Sequence, residues 1–478
     1  MVQSTLGTGT AVSSYDPLIT GQVGAEHQTS PLANLTIYGV PLLQLNTGQA
    51  NVTYSQAFAT GTSLSVQFNN SRQTTNSPYF NLSPVLSSMY RVTVQQQLLA
   101  GFGLGPNLRY LRIANNNKKI SDIAFKDQVI TTVTQVENIY WDLVNAYEQA
   151  QVSEESLKFA QQSFDNAKKQ LQLESIPAMD VMRAEAEVSQ RDQELTVART
   201  TLELQESLIK NALTKSLDDP VLEAMPVIPT DRLESTQAPL ASQAIQDLIT
   251  QALRDRPELA ESDVDLVNRQ ISNKAARNAL LPALSLVGFY GGSGLAGPLN
   301  PVYNISGVPN SSTVPGDFSG ALENTFNNTA PDYYVGLNLN IPIRNRVAKS
   351  DQYRSELEYR QAQLRREQLR KQIRIEVRNA QYALEQTAAR VDAARKARDL
   401  AQRTFEIMQK EQTLGAGSTF QTLGAQRDLA VAELDLVTAM TVYEKAKVEL
   451  DRATGNTLEH NGISIRDAIA GTVSSPGS

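Results

Sequence analysis

The residues most able to do chemistry are few. The chain has 478 residues with two histidines, His27 and His460, and no cysteine. Thiolate metal sites, cysteine nucleophiles and disulfides are therefore excluded, and a Ser-His-Asp triad has little to draw on. Gly292, Gly294 and Gly297 spell G-x-G-x-x-G after a strand-like segment. A dinucleotide site needs a helix to start there, to aim its N-terminus at a pyrophosphate. Pro298 and Pro301 follow instead, so a loop is the expectation. Arg365, Arg366, Arg370, Lys371, Arg374 and Arg378 form a basic run. It lacks interleaved aromatics and lies in a chain of net charge -7, which reads as a solvated helix face rather than a nucleic-acid site. The acids Glu185, Glu187, Asp192 and Glu194 stand beside Arg183 and Arg191 at helical spacing, as surface pairs do. No catalytic, cofactor or metal constellation emerges, and no enzyme is expected.

The elements carrying these residues are more informative. Residues 107–213 and 345–453 are rich in Ala, Gln, Glu and Arg and nearly free of Pro and Gly, which predicts long helices. Residues 1–105 and 282–343 are rich in Gly, Asn, Ser, Thr and Pro, with stretches of period two. Strand and helix territory thus alternate twice. A shift of 241 positions lays the second helical region on the first without gaps: Val377, Leu384 and Phe405 fall on Val136, Leu143 and Phe164. The chain is an internal duplication.

Seven-residue rows run through both halves. Val377, Leu384 and Val391 form one, with Ala380, Thr387 and Ala394 beside it; Leu143, Ala150 and Leu157 form another, with Ala146 and Ala160 alongside. Such a/d rows predict helices packed as coiled-coil neighbours. A helix from about 107 to 172 would be roughly 100 Å long, and its returning partner from about 179 to 213 roughly 50 Å. That length suits a stalk, tube or filament.

The clearest strand is 332–343. Tyr333, Val335, Leu337, Leu339 and Ile341 point one way, Asn338 and Asn340 the other. One apolar face and one polar, uncharged face are what a wall between lipid and a wet lumen requires. Residues 281–291 are its expected partner, with 292–331 as a long loop. In the first half, 17–25 and 90–99 are the expected pair, separated by an insertion whose segments 51–58 and 62–69 also alternate; whether it adds strands is open. About four strands per chain cannot close a membrane barrel, whose smallest form has eight, so several chains are needed.

With these features the sequence resembles the bacterial outer-membrane efflux protein family, the TolC-like channels. The resemblance covers nearly the whole chain and rests on residues 256–286, 95–107 and, most specifically, 415–455. It implies a mainly α fold with membrane β: a trimeric β-barrel, about four strands per protomer, continued by a long α-helical barrel. The implied organisation is a first strand pair with a long loop insertion (1–105), a first helix hairpin (106–213) and a Pro-rich connector (214–242). A helix of the second repeat (243–280), a second strand pair (281–343), a second hairpin (344–455) and a tail (456–478) follow. The resemblance further implies an outer-membrane duct with a periplasmic extension, passive and gated, exporting small molecules or proteins. Its partners would be two further copies, a periplasmic adaptor (membrane fusion) protein, an inner-membrane transporter and outer-membrane lipid, with no nucleic acid and no cofactor. The turns at Leu173–Asp180 and Leu414–Gln421 would form the periplasmic tip, gate and adaptor contact, through Leu173, Asp180, Leu414, Gly415, Gly417, Gln421 and Gly424. The family's type member has an arginine and two aspartates where Gly417, Gln421 and Gly424 stand, so a charged lock is not expected. The strand signal by Pro17 and an N-terminus without a leader pattern predict a truncated gene product, lacking the signal peptide and the first repeat's leading helix. A cytoplasmic coiled-coil scaffold or filament is the alternative. It explains the heptads but leaves the duplicated strand pairs without a purpose.

Overall fold

The structure is a computed structural model. It describes residues 9–214, 220–233, 244–414 and 417–470. The chain divides into two compact units, one of residues 1–122 with 262–364, the other of 123–261 with 365–478.

The first unit is built on a single antiparallel sheet of six strands in chain order. These are β1 (Leu18–Pro31), β2 (Leu42–Ala57), β3 (Thr62–Thr75), β4 (Val85–Gln97), β5 (Ala283–Ala296) and β6 (Pro331–Asn340). The expected count of about four strands per chain therefore rises to six. The insertion between the first two expected strands is itself a β-hairpin, β2–β3, and it separates β1 from β4. Its Thr, Ser, Asn and Gln residues alternate with Val, Tyr, Leu and Phe, a pattern that pairs well on a half-buried pleat. Its turn closes at Gly61, where φ is +85° and a Cβ would lie 2.4 Å from the Gly101 carbonyl oxygen. Only glycine fits that close backbone approach.

The connection from β5 to β6 also departs from expectation. It contains a helix, α5 (Phe318–Phe326), that packs back on the sheet with Asp317 as its N-cap. The G-x-G motif now has a cause. Gly292 and Gly294 lie inside β5, and a Cβ on Gly294 would meet the Ala321 carbonyl oxygen at 1.9 Å. The glycines let a helix backbone rest on a strand; no helix N-terminus opens there for a phosphate.

Six further helices exceed eight residues: α1 (Arg109–Gln172), α2 (Ala178–Leu213), α3 (Ile245–Asp255), α4 (Pro257–Asn278), α6 (Arg346–Thr413) and α7 (Thr419–Thr454). The duplication holds to the residue, since a shift of 241 carries Ala178–Leu213 onto Thr419–Thr454 and the end of α1 onto the end of α6. The single helix expected over 243–280 is broken at Arg256, because Pro257 has no N–H to continue α3 and disfavours helical backbone in the residue before it. None of the described helices is long and apolar enough to cross a membrane. Part of the connector and of the tail, residues 215–219, 234–243 and 471–478, lies outside the described residues.

The heptad rows are the buried rows of the second unit. Leu143, Ala146 and Ala160 are buried on α1, as are Val377 and Ala380 on α6 and Leu436 and Ala439 on α7. Alanine in alternate layers permits close helix approach, and each buried leucine or valine contributes about 1.5–3 kcal/mol. Leu248, Ile249 and Ala252 of α3 add to this core against Ile373, Val377 and Ala453. Beside it, the buried Arg256 guanidinium donates to the carboxylates of Glu258 and Glu376.

Candidate functional site

The residues singled out by the sequence fall in two regions: the two faces of the sheet in the first unit, and the helix turns of the second.

The register sorts the side chains into faces. Tyr333 of β6 lies opposite Tyr290, and the same line crosses Val92, Val66, Tyr54 and Ile19. One residue further along β6, Tyr334 heads a line through Phe289, Thr93, Ser65 and Ser55 on the other face, and Asp332 heads one through Gly291, Arg91, Gln67, Thr53 and Thr20. Because side chains alternate along each strand, the apolar rows stay on one face across all six strands and the polar rows on the other. Tyr333, Val335, Leu337 and Leu339 are exposed members of the apolar face, and the exposed Ile341 follows just after the end of β6. Asn338 and Asn340 occupy the opposite face, Asn338 beside Ser285 and Asn340 beside Ala283.

Near the middle of β3 and β4, aromatic rings gather on the apolar face. Phe326 of α5 stacks on Tyr90 with centroids 5.3 Å apart and lies 6.2 Å from Phe68.

The polar face holds an ion pair absent from the expected site. The Arg91 guanidinium donates to the Asp332 carboxylate at 2.8 Å and lies 4.5 Å from the centre of the Phe289 ring. A signal for it existed in the sequence: Arg91 and Asp332 are 241 residues apart, the offset of the helical repeat. Opposite charges at matching positions of two repeats meet across β5.

In the second unit, residues 173–177 join α1 to α2. Leu173 is exposed, Glu174 adopts a left-handed backbone with φ 54°, and the Asp180 carboxylate lies 3.5 Å from Arg183. The second turn joins α6 to α7. Leu414 is 83% exposed. Gly415 lies outside the described residues. The Gly417 N–H donates to the Glu411 carbonyl at 3.1 Å, and a Cβ there would stand 2.8 Å from the backbone nitrogen of Gln412. Ser418 caps α7 by accepting from the Phe420 N–H, and the buried Thr422 hydroxyl donates to the Met408 carbonyl at 3.3 Å.

A groove lies between α2, the end of α6 and the start of α7. Gln421 and Gly424 line it together with Arg183, Glu187, Arg427 and Asp428. Arg183 lies over the Phe420 ring at 5.3 Å, a cation–π contact linking α2 to the start of α7. Gly424 faces open space, with no atom within 4 Å of where its Cβ would be. Sequence reasoning named Asp180, Gln421 and Gly424 for the tip, read Arg183 only as a surface pair, and missed Phe420, Arg427 and Asp428. Glycine and glutamine at the matched positions suggested a tip without charge, whereas charged groups one helical turn away reach the same groove.

Among the described residues no group of three or more His, Asp or Glu side chains stands close enough to hold a metal ion.

Comparison with known proteins agrees with this geometry. Residues 248–456 match the outer membrane efflux protein family. No curated protein sequence matches the chain. Among solved structures, the Campylobacter jejuni CmeC outer membrane channel is 15% identical with a TM-score of 0.61, over 98% of this chain and 84% of that one. The Vibrio cholerae outer membrane protein VceC is 13% identical with a TM-score of 0.61, over 95% and 90%. The open-state Neisseria gonorrhoeae MtrE outer membrane channel is 14% identical with a TM-score of 0.60, over 96% and 85%. The family match thus covers residues 248–456, and over nearly its whole length the chain has the fold of these solved outer-membrane channels.

Proposed function

We propose that the protein is the outer-membrane channel of a tripartite efflux or secretion system, a passive, gated duct that works as a homotrimer. The observation that carries this reading is the two-faced sheet. On one face the apolar row Tyr333, Tyr290, Val92, Val66, Tyr54 and Ile19 crosses all six strands beside an aromatic cluster, and the other face is polar with the Arg91 charge neutralised by Asp332. Lipid covers the first and water fills the second. Tyr333, Val335, Leu337, Leu339 and Ile341 face lipid; Asn338 and Asn340 line the lumen. A cytoplasmic scaffold would leave that apolar face in water.

In this reading the strand regions 1–105 and 281–343 form the membrane wall, and the hairpins 106–213 and 344–455 form the periplasmic tube. The turns at Leu173–Asp180 and Leu414–Gln421 are the tip, and the groove between α2 and α7 beside them receives a periplasmic adaptor bridging to an inner-membrane transporter. That pump supplies the energy, so the duct needs no nucleophile, cofactor or metal. Exposed Leu173 and Leu414 offer apolar anchors, and Arg183, Glu187, Arg427 and Asp428 a charged rim.

The test is reconstitution. A trimer in mild detergent and discrete conductance steps in a planar bilayer are expected. A stable water-soluble monomer without conductance refutes the reading.

A further inference from the structure

We infer that the hairpin β2–β3 is part of the membrane wall, so that three copies close an eighteen-stranded barrel in which β6 of each copy pairs antiparallel with β1 of the next. This inference rests on the homotrimeric channel proposed above.

Three observations carry it. First, β2 and β3 are integral to the sheet, paired to β1 and β4 along nearly their whole lengths, with Val52, Tyr54, Leu64, Val66 and Phe68 on the face that carries Tyr333 and Val335. Second, among the described residues no strand covers the outer edge of β1 or of β6. An open edge is a template for another strand, and ring closure is how membrane walls remove it. β1 and β6 run in opposite directions, as an even-stranded antiparallel sheet requires, so β6 of one copy meets β1 of the next in the antiparallel sense all the way round.

Third, the sheet already has a barrel's stagger. The line of paired residues through Leu18 reaches Ser55, Ser65, Thr93, Phe289 and Tyr334. Beyond that line, towards the ends nearer α1, the six strands continue for zero, two, three, four, six and six residues. If those ends share one level, a drift of about 20 Å along the strands over about 24 Å across them is a tilt of about 40°. Strands of closed barrels tilt by 35–45°.

The same step predicts the joint. Continued by one strand, it brings Tyr334 opposite a position near residue 25 of the next copy. Keeping apolar beside apolar then sets Val335 against Val23 and Leu339 against Ile19. Val335 and Val23 are 78% and 87% exposed in the single chain, as edge residues awaiting a neighbour should be. Eighteen strands at this tilt close with a backbone diameter of about 36 Å, against about 24 Å for twelve. The insertion therefore widens the duct by half where it crosses the membrane.

The chain has no cysteine, so an introduced pair reports alone. Val23→Cys with Val335→Cys in the full chain, treated in membranes with a short bis-maleimide that tolerates a two-residue register change, should give covalent trimers on a denaturing gel. Gly24→Cys with Val335→Cys, on opposite faces, should not. Val23→Cys with Val92→Cys tests the alternative, because those residues lie three strands apart here but would become neighbours if β2–β3 left the wall. Electron cryomicroscopy of the uncrosslinked trimer should give the diameter of about 36 Å. Trimers that form pores and crosslink through Val23→Cys/Val92→Cys, whether or not Val23→Cys/Val335→Cys also crosslinks, or a diameter near 24 Å, overturn this inference and leave the channel standing. A monomer without conductance overturns the channel reading itself.

Discussion

Val94 and Gln95 are neighbours on β4, a strand in the interior of the sheet, and their side chains leave on opposite faces. Val94 pairs with Leu64 on one side and with Gly288 on the other, and Gly288 offers no side chain to cover it. Val94 is consequently 45% exposed on the apolar face. Gln95 stands between Ser63 and Val287 on the polar face. Arginine at Val94 puts a guanidinium into hydrocarbon below the aromatic cluster. Depth-dependent costs on barrel surfaces reach about 2–4 kcal/mol at the midplane. That is roughly a 30- to 900-fold shift per copy, and three copies multiply it. Arginine at Gln95 enters water beside serine and should cost well under 1 kcal/mol. The assay is the fraction of heat-modifiable, folded trimer after refolding into vesicles across a urea series. Val94→Arg should lose the folded trimer at urea concentrations where Gln95→Arg and the parent keep it, and Gln95→Arg should shift reversal potential towards anions. Equal losses for the two variants, or a greater loss for Gln95→Arg, would refute the assignment of faces.

Three further outcomes follow from the helical unit and its turns. Arg256→Ala leaves Glu376 and Glu258 without their cation and should cost about 3–5 kcal/mol at pH 7, read by urea unfolding of the helical signal. Burial is the largest single influence on the Glu376 carboxyl and opposes its ionisation, but the hydrogen bonds from Arg256 and Gln372 and the charges of Arg256 and Arg452 together hold it below its usual value. Its stabilisation is therefore present above the unfolded carboxylate range and fades as pH falls through the folded value, so the deficit of Arg256→Ala should shrink towards pH 3. Glu433 is the opposite case: burial, then the charge of Glu155, raises its carboxyl pKa. Glu433→Gln should stabilise the fold at pH 7, with the gain disappearing as acid protonates the parent; an equal gain at both pH values would contradict that cause. Gly417→Val forces a Cβ against the Gln412 backbone nitrogen and should loosen the second turn, whereas Gly424→Ala meets open space. Proteolysis between α6 and α7 should accelerate in the first variant and not in the second.

The helices were legible because their signal is local. A heptad row such as Val377, Leu384 and Val391 writes the buried face directly into the spacing, and the 241-residue repeat fixed the turn between α6 and α7 to the residue. The break at Arg256–Pro257 was equally local, and Pro257 announced it; averaging over a long periodic window hid it. β6 was legible for the same reason, since strict alternation over residues 332–341 assigns both faces without any partner. By itself, then, the sequence determined the duplication, the long helices and the two-faced strand.

Tertiary structure alone decided how many strands share the sheet and which lie side by side. Alternation at 51–58 and 62–69 says that a segment can be a strand, but adjacency depends on hydrogen bonds between residues far apart in the chain, and no periodicity encodes those. The purpose of Gly292 and Gly294 likewise appeared only with α5 lying on them. Arg91 with Asp332, and Arg183 with Phe420, are pairs of the same kind: each residue alone is an ordinary surface charge or ring. Contact across a sheet or between two helix turns gives them a role, because side-chain electrostatics acts over a few ångströms of space rather than along the chain.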